Sequence, residues 1–102
     1  MIFNDLIRLA HIPKATAARK YFIYVTDRQM TSYFKNPNNG LADLFDLAAG
    51  QSFQVDTMFL NSRPPCFRDK VSCNLIPFDV VGCFARDLGE EHLLRVYEIK
   101  SI

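Results

Sequence analysis

Two periods of apolar residues run along this chain, and they change over near Gly50. Before that point apolar side chains recur at helical spacing. Phe3, Leu6, Ile7 and Ala10 line one face of a helix, and Asn4, followed by Asp5 in the first turn, is a suitable N-cap. The pattern predicts a short amphipathic helix over 4–12, stopped at Pro13. Lys14 to Lys20 is rich in helix formers and predicts a second short helix with Pro13 in its first turn. Residues 21–26, Tyr-Phe-Ile-Tyr-Val-Thr, are aromatic or β-branched throughout and read as a buried strand. Asp27 is placed to cap a helix in which Met30, Tyr33 and Phe34 share a face. The breaker cluster Asn36-Pro-Asn-Asn-Gly40 predicts a loop. Leu41, Leu44, Phe45 and Ala48 then predict a helix ended by Gly50.

After Gly50 the period falls to two. Phe53, Val55, Thr57 and Phe59 alternate with Gln54, Asp56 and Met58, which predicts a strand with one wet face. Asn61 to Lys70 reads as a loop by composition. Val71, Cys73 and Leu75 predict a second strand, interrupted near Pro77. Phe78 to Arg86 is nearly all apolar and suits the middle of a sheet. Asp87-Leu-Gly-Glu-Glu91 is a hairpin connection, and Leu93 to Ile99 is the returning strand. The expected architecture is α+β: short N-terminal helices packed on one face of a mostly antiparallel sheet formed by the C-terminal half. Its 102 residues, 1–102, make a single domain.

Charge adds little to this picture globally and more to it locally. Twelve Lys and Arg against eleven Asp and Glu leave a net charge of +1, so no overall bias points to nucleic acid or an anionic membrane. Residues 1–20, however, carry Arg8, Lys14, Arg19 and Lys20 against Asp5 alone, while residues 41–60 carry Asp43, Asp46 and Asp56 and no Lys or Arg. Uncharged apolar stretches fall short of the roughly 18 residues a membrane span requires. The N-terminus lacks a basic segment and carries Asp5 where a signal peptide would continue its apolar run. Three cysteines, Cys66, Cys73 and Cys83, cannot all pair within the chain. The expectation is a cytoplasmic protein with no membrane contact and reduced thiols.

The usual catalytic and cofactor patterns are missing. Gly40, Gly50, Gly82 and Gly89 belong to no phosphate-cradling loop, so no nucleotide cofactor is expected. The cysteines are not paired two to four residues apart, and His11 and His92 are remote from each other, so no metal is expected either. Cys73 and Cys83 read as small buried cysteines on strands. Cys66 has Arg63, Arg68 and Lys70 close in sequence, which would favour a thiolate, and a small thiol-dependent enzyme is the third functional reading. Glu90 and Glu91 are solvated hairpin charges.

Asp5-Leu-Ile-Arg-Leu-Ala-His-Ile-Pro-Lys-Ala-Thr-Ala-Ala-Arg19 resembles the helix-turn-helix of bacterial repressors. The resemblance covers residues 5–20 and implies a DNA-binding regulator, the second functional reading. It would place Ala10 at the close-packing position, His11 and Ile12 in the turn, and Lys14, Thr16, Arg19 and Lys20 toward bases and phosphates. His11 would then stand at positive φ where such turns usually have glycine. The same residues also fit two short helices that cover the sheet with a solvated basic face.

The stretch from Asn61 to Lys70 carries the first reading. Arg63, Phe67, Arg68 and Lys70 surround a stiff Pro64-Pro65 pair, and aromatic and Arg residues on a stiffened loop suit an interface anchor. The competing reading folds Phe67 back onto the core. The leading expectation is a non-enzymatic binding module of the inhibitor, immunity or adaptor type, acting on a macromolecular partner that is most often a protein.

Overall fold

In the computed structural model, which describes residues 2–12, 19–36, 38, 42, 47–72 and 74–101, four antiparallel strands carry the fold. They are β1 (Tyr21–Thr26), β2 (Ser52–Val55), β3 (Phe78–Gly89) and β4 (His92–Ser101), in the order β1-β4-β3-β2. Among the described residues the helices are α1 (Ile2–Ala10), α2 (Arg28–Lys35), α3 (Thr57–Asn61) and α4 (Pro65–Arg68). The α+β expectation holds, and β1 joins the C-terminal strands as an edge of their sheet.

Each strand has one face inward. Phe78, Val80, Tyr97, Ile99 and Val55 are buried, with Phe22, Tyr24 and Phe53 partly buried beside them. Against this face α1 sets Phe3, Leu6 and Ile7, α2 sets Phe34, and α3 and α4 set Phe59 and Phe67. The rings interlock: Phe3 lies 4.9 Å from Phe67 and 5.6 Å from Phe59 between centroids, and Phe53 meets Phe59 edge-on at 5.0 Å. Rings at these distances and tilts attract beyond the area they bury.

The caps explain where several elements begin. Asp27 accepts from the Met30 amide at 2.8 Å and starts α2, as its sequence position predicts. Met30 and Tyr33 stay exposed on that helix, and Phe34 alone of the three is buried. Asn4 is not a cap. It lies buried within α1, where its amide donates to the Lys70 carbonyl at 2.8 Å and accepts from the Ser72 amide at 3.0 Å. One side chain thereby satisfies two backbone groups of the segment after α4. Among the described residues of the strand expected over 71–75 none joins a ladder, and the Ser72 amide is taken by Asn4 of α1.

The alternation over 53–59 also ends early. Asp56 turns its carboxylate onto the Phe59 amide at 2.9 Å and caps α3, so Thr57 and Phe59 are helical. The expected loop over 61–70 contains α4, with Pro65 in the first helical position, where its missing N–H costs nothing. Most of the helix expected over 41–50 lies outside the described residues; Leu47 and Ala48 are not helical, and Gly50 stands at φ +84° in the turn that follows them. Residues 14–18 of the second helix expected over 14–20 and Cys73 also lie outside them, while Arg19 and Lys20 are described and are not helical.

The β3–β4 hairpin closes where the sequence places it, between Gly89 and His92. Its two central residues, Glu90 (φ 52°) and Glu91 (φ 64°), are both left-handed, the backbone of a primed two-residue turn. Neither is suited to that region, which favours Asn and Gly. Replacing the pair by Asn-Gly is expected to stabilise the domain by about 1 kcal/mol, raising the thermal midpoint by roughly 4–8 °C. The exposed Arg28–Glu91 pair at 3.7 Å would be lost and offsets little of this. Differential scanning calorimetry of the double variant checks the sign.

Candidate functional site

The loop residues singled out in the sequence occupy different environments. Phe67 is 1% exposed and belongs to the core. The guanidinium of Arg63 lies 4.4 Å above the Phe59 ring, and its Nε and Nη2 reach the Ser62 hydroxyl at 3.3 and 3.0 Å. Arg68 and Lys70 remain exposed. Any partner docking here would meet those two charges and Arg63, not the Phe67 ring.

The basic N-terminal set is likewise divided. Lys14 and Thr16 lie outside the described residues. Lys20 is buried and donates from Nζ to the carbonyls of Ala10 at 3.1 Å and Ile12 at 3.0 Å. It satisfies carbonyls at the C-terminus of α1, where the helix dipole also favours a cation. That engagement keeps its ammonium away from a phosphate. Arg19 is exposed and donates to the Tyr21 hydroxyl at 3.2 Å. This hydrogen bond, helped by the nearby charge of Glu98, raises the guanidinium pKa above its ordinary value. Among described residues other than glycine, positive φ occurs at Glu90 and Glu91, so His11 does not adopt the backbone that the turn of a helix-turn-helix would ask of it.

Chemistry-bearing side chains are dispersed. Cys66 is exposed on α4, with its thiol 3.6 Å from the Asn38 carbonyl. Cys83, expected to be buried, is exposed because it is the extra residue of a bulge in β3. Among the described residues no three of His, Cys, Asp and Glu come together as metal ligands would, and no helix is long and apolar enough to cross a membrane. A shallow depression of about 330 Å³ lies between α2 and the hairpin, lined by Arg28, Thr31, Ser32, Lys35, Glu91 and Leu93. Its opposite charges pair with each other across it.

The feature that sequence reasoning missed is the outer face of the sheet. On β1, Tyr21, Ile23 and Val25 point away from the helices, and Ile23 is 65% exposed. Their partners on β4 are Glu98, Val96 and Leu94, and Val96 pairs onward with Phe84 of β3. The bulge is what brings Phe84 there. Up to Gly82 the even residues of β3 face the core, and the extra residue Cys83 reverses the phase, so Phe84 turns outward and is 44% exposed. A contiguous apolar patch results, made of Tyr21, Ile23, Val25, Leu94, Val96 and Phe84. Arg19, Glu98 and Arg86 stand at its margin.

Compared with protein-family models, curated proteins and solved structures, the chain matches none.

Proposed function

We propose that this chain is a non-enzymatic protein-binding module that meets its partner through the outer face of its sheet. The observation that carries the reading is the patch of β-branched and aromatic side chains on β1, β4 and β3, bordered by charge and covered by no described helix. An apolar centre with a polar margin is the composition of a protein interface, and larger apolar patches on a monomer mark interaction sites. Side chains on strands are presented with little loss of freedom on binding, which favours a rigid docking face.

Phe84→Glu tests this. Phe84 is nearly half exposed and outside the core, so the melting temperature should stay within a few degrees of wild type. A buried aromatic anchor carries about 2 kcal/mol or more, so affinity for the protein captured from nuclease-treated source extract should fall roughly thirtyfold. Capture that survives Phe84→Glu but is lost on Arg68→Ala would move the interface to the helical side. Capture abolished by nuclease alone would favour DNA.

A further inference from the structure

We infer that the free edge of β1 pairs with the same edge of a second copy of this chain, antiparallel about a two-fold axis through Ile23, giving one continuous eight-stranded sheet. This goes beyond the reading above, since it concerns the edge and not the face, and it needs no partner but the chain itself.

The hydrogen-bond phase of β1 defines the edge. The Ile99 amide donates to the Lys20 carbonyl at 2.8 Å, directly across the ladder. Lys20 and Ile99 are therefore a hydrogen-bonded pair, and in an antiparallel ladder every second pair after it is of the same kind: Phe22 with Tyr97, Tyr24 with Arg95, Thr26 with Leu93. The N–H and C=O groups of Tyr21, Ile23 and Val25 must then point away from β4. β1 ends the strand order, and among the described residues nothing pairs with it on that side. It is six residues long and carries no charge, proline or bulge, and among the described residues nothing covers it, so none of the usual devices that keep an edge from pairing is seen there. The opposite edge differs. β2 has four residues and turns at once into α3.

Self-pairing fits this edge in one register above the others. With Ile23 opposite Ile23 of the second copy, Tyr21 faces Val25 and Val25 faces Tyr21, so all three outward residues on each side exchange hydrogen bonds. The same register sets Arg19 of each copy opposite Asp27 of the other. Asp27 has extended backbone (φ −85°, ψ −176°), and Arg19 reaches the Tyr21 hydroxyl two residues on while Lys20 between them still bonds across the ladder, so both stand at the ends of the strand line. Aromatic against β-branched and opposite charges across strands are favourable pairs. Any other register that aligns outward residues leaves one unpaired and takes Arg19 away from Asp27. The uncharged centre and the charged ends thus match their own two-fold copy.

Sedimentation equilibrium of the purified chain over a concentration series, with hydrogen exchange at each concentration, tests the inference. The expected result is the mass of two chains at high concentration, and protection of the Tyr21, Ile23 and Val25 amides that rises with concentration. Ile23→Pro removes an N–H that points away from β4, so the monomer's ladder survives while dimerisation is lost. Arg19→Asp puts like charges opposite one another at both ends and should weaken the dimer about tenfold. Adding Asp27→Asn, which still caps α2, should recover most of that loss. Phe84→Glu should leave the dimer intact, because β4 separates β3 from the edge. Single-chain mass throughout, or a dimer that survives Ile23→Pro, overturns the inference. Arg19→Asp without effect overturns the register, and if Ile23→Pro does not fold, the exchange pattern and Arg19→Asp still decide.

Discussion

Phe67→Ala is expected to destabilise the domain by about 3–5 kcal/mol, the range for removing a buried Phe ring from a core. The ring is 1% exposed and packs against Phe3 at 4.9 Å and Phe59 at 6.1 Å between centroids. α4 has only four residues and no side-chain cap, so its position depends on this ring. Losing it also uncovers Phe59, over which the Arg63 guanidinium lies. A domain of this size has roughly 5–15 kcal/mol in total, so the loss is a large share of it. At about 4–8 °C per kcal/mol, the thermal midpoint should fall by roughly 12 °C or more. Phe67→Leu keeps most of the apolar volume and should lose much less. A midpoint unmoved by Phe67→Ala would return the ring to the surface and reopen its role as an anchor.

The fate of Phe67 illustrates what the sequence could and could not convey. Its neighbours are two prolines, Arg68, Asp69 and Lys70, all of which read as surface. Burial is imposed by Phe3 at the other end of the chain, and no local pattern records that contact. Phe59 was ambiguous in another way, because it stands four residues after Val55. That spacing serves a strand of period two and a helix equally, and one hydrogen bond, from the Phe59 amide to the Asp56 carboxylate, decides for the helix. β1, β3, β4 and their hairpin were legible as strands because β-branched and aromatic runs, bounded by breakers, leave no helical alternative, but β1 is not the buried strand expected: as an edge it exposes Tyr21, Ile23 and Val25. The outer face was not. The nearly unbroken apolar run from Phe78 to Arg86 reads as buried on both sides, whereas the described helices cover one side only. The bulge at Cys83 then turns Phe84 outward, a change of phase that follows from strand pairing and not from residue type. Lys20 showed a similar limit: its charge was visible, its use as a helix cap was not.

Gly82→Ala is the second substitution expected to have a large effect, for a reason opposite to a cavity. Gly82 is buried in β3, paired with Tyr97, where the chain from Leu47 to Gln51 crosses close by. The Gly82 carbonyl accepts from the Gly50 amide at 2.7 Å, and the Gly82 amide donates to the Gln51 carbonyl at 2.8 Å. A methyl group here would lie 2.9 Å from the Ala48 carbonyl carbon and 3.1 Å from the Leu47 carbonyl oxygen, and would overlap the Ala48 oxygen. All three are backbone atoms of the segment that these hydrogen bonds tie to β3, and the Ala48 oxygen itself accepts from the Gln51 amide at 3.0 Å, so no rotamer change relieves the clash. Overpacking commonly costs 1–3 kcal/mol, and moving two backbones places this case at the top of that range, about 3 kcal/mol. The displacement would act next to the bulge that aims Phe84 outward, so binding through the outer face should weaken together with stability. Gly89→Ala is the control. It has open space around its Cβ but stands at φ +86°, so it should cost only the conformational term of about 1–2 kcal/mol. Urea unfolding of the two variants separates the causes: a Gly82→Ala loss no larger than that of Gly89→Ala would mean that the two backbones do not approach as closely as the hydrogen bonds at Gly82 require.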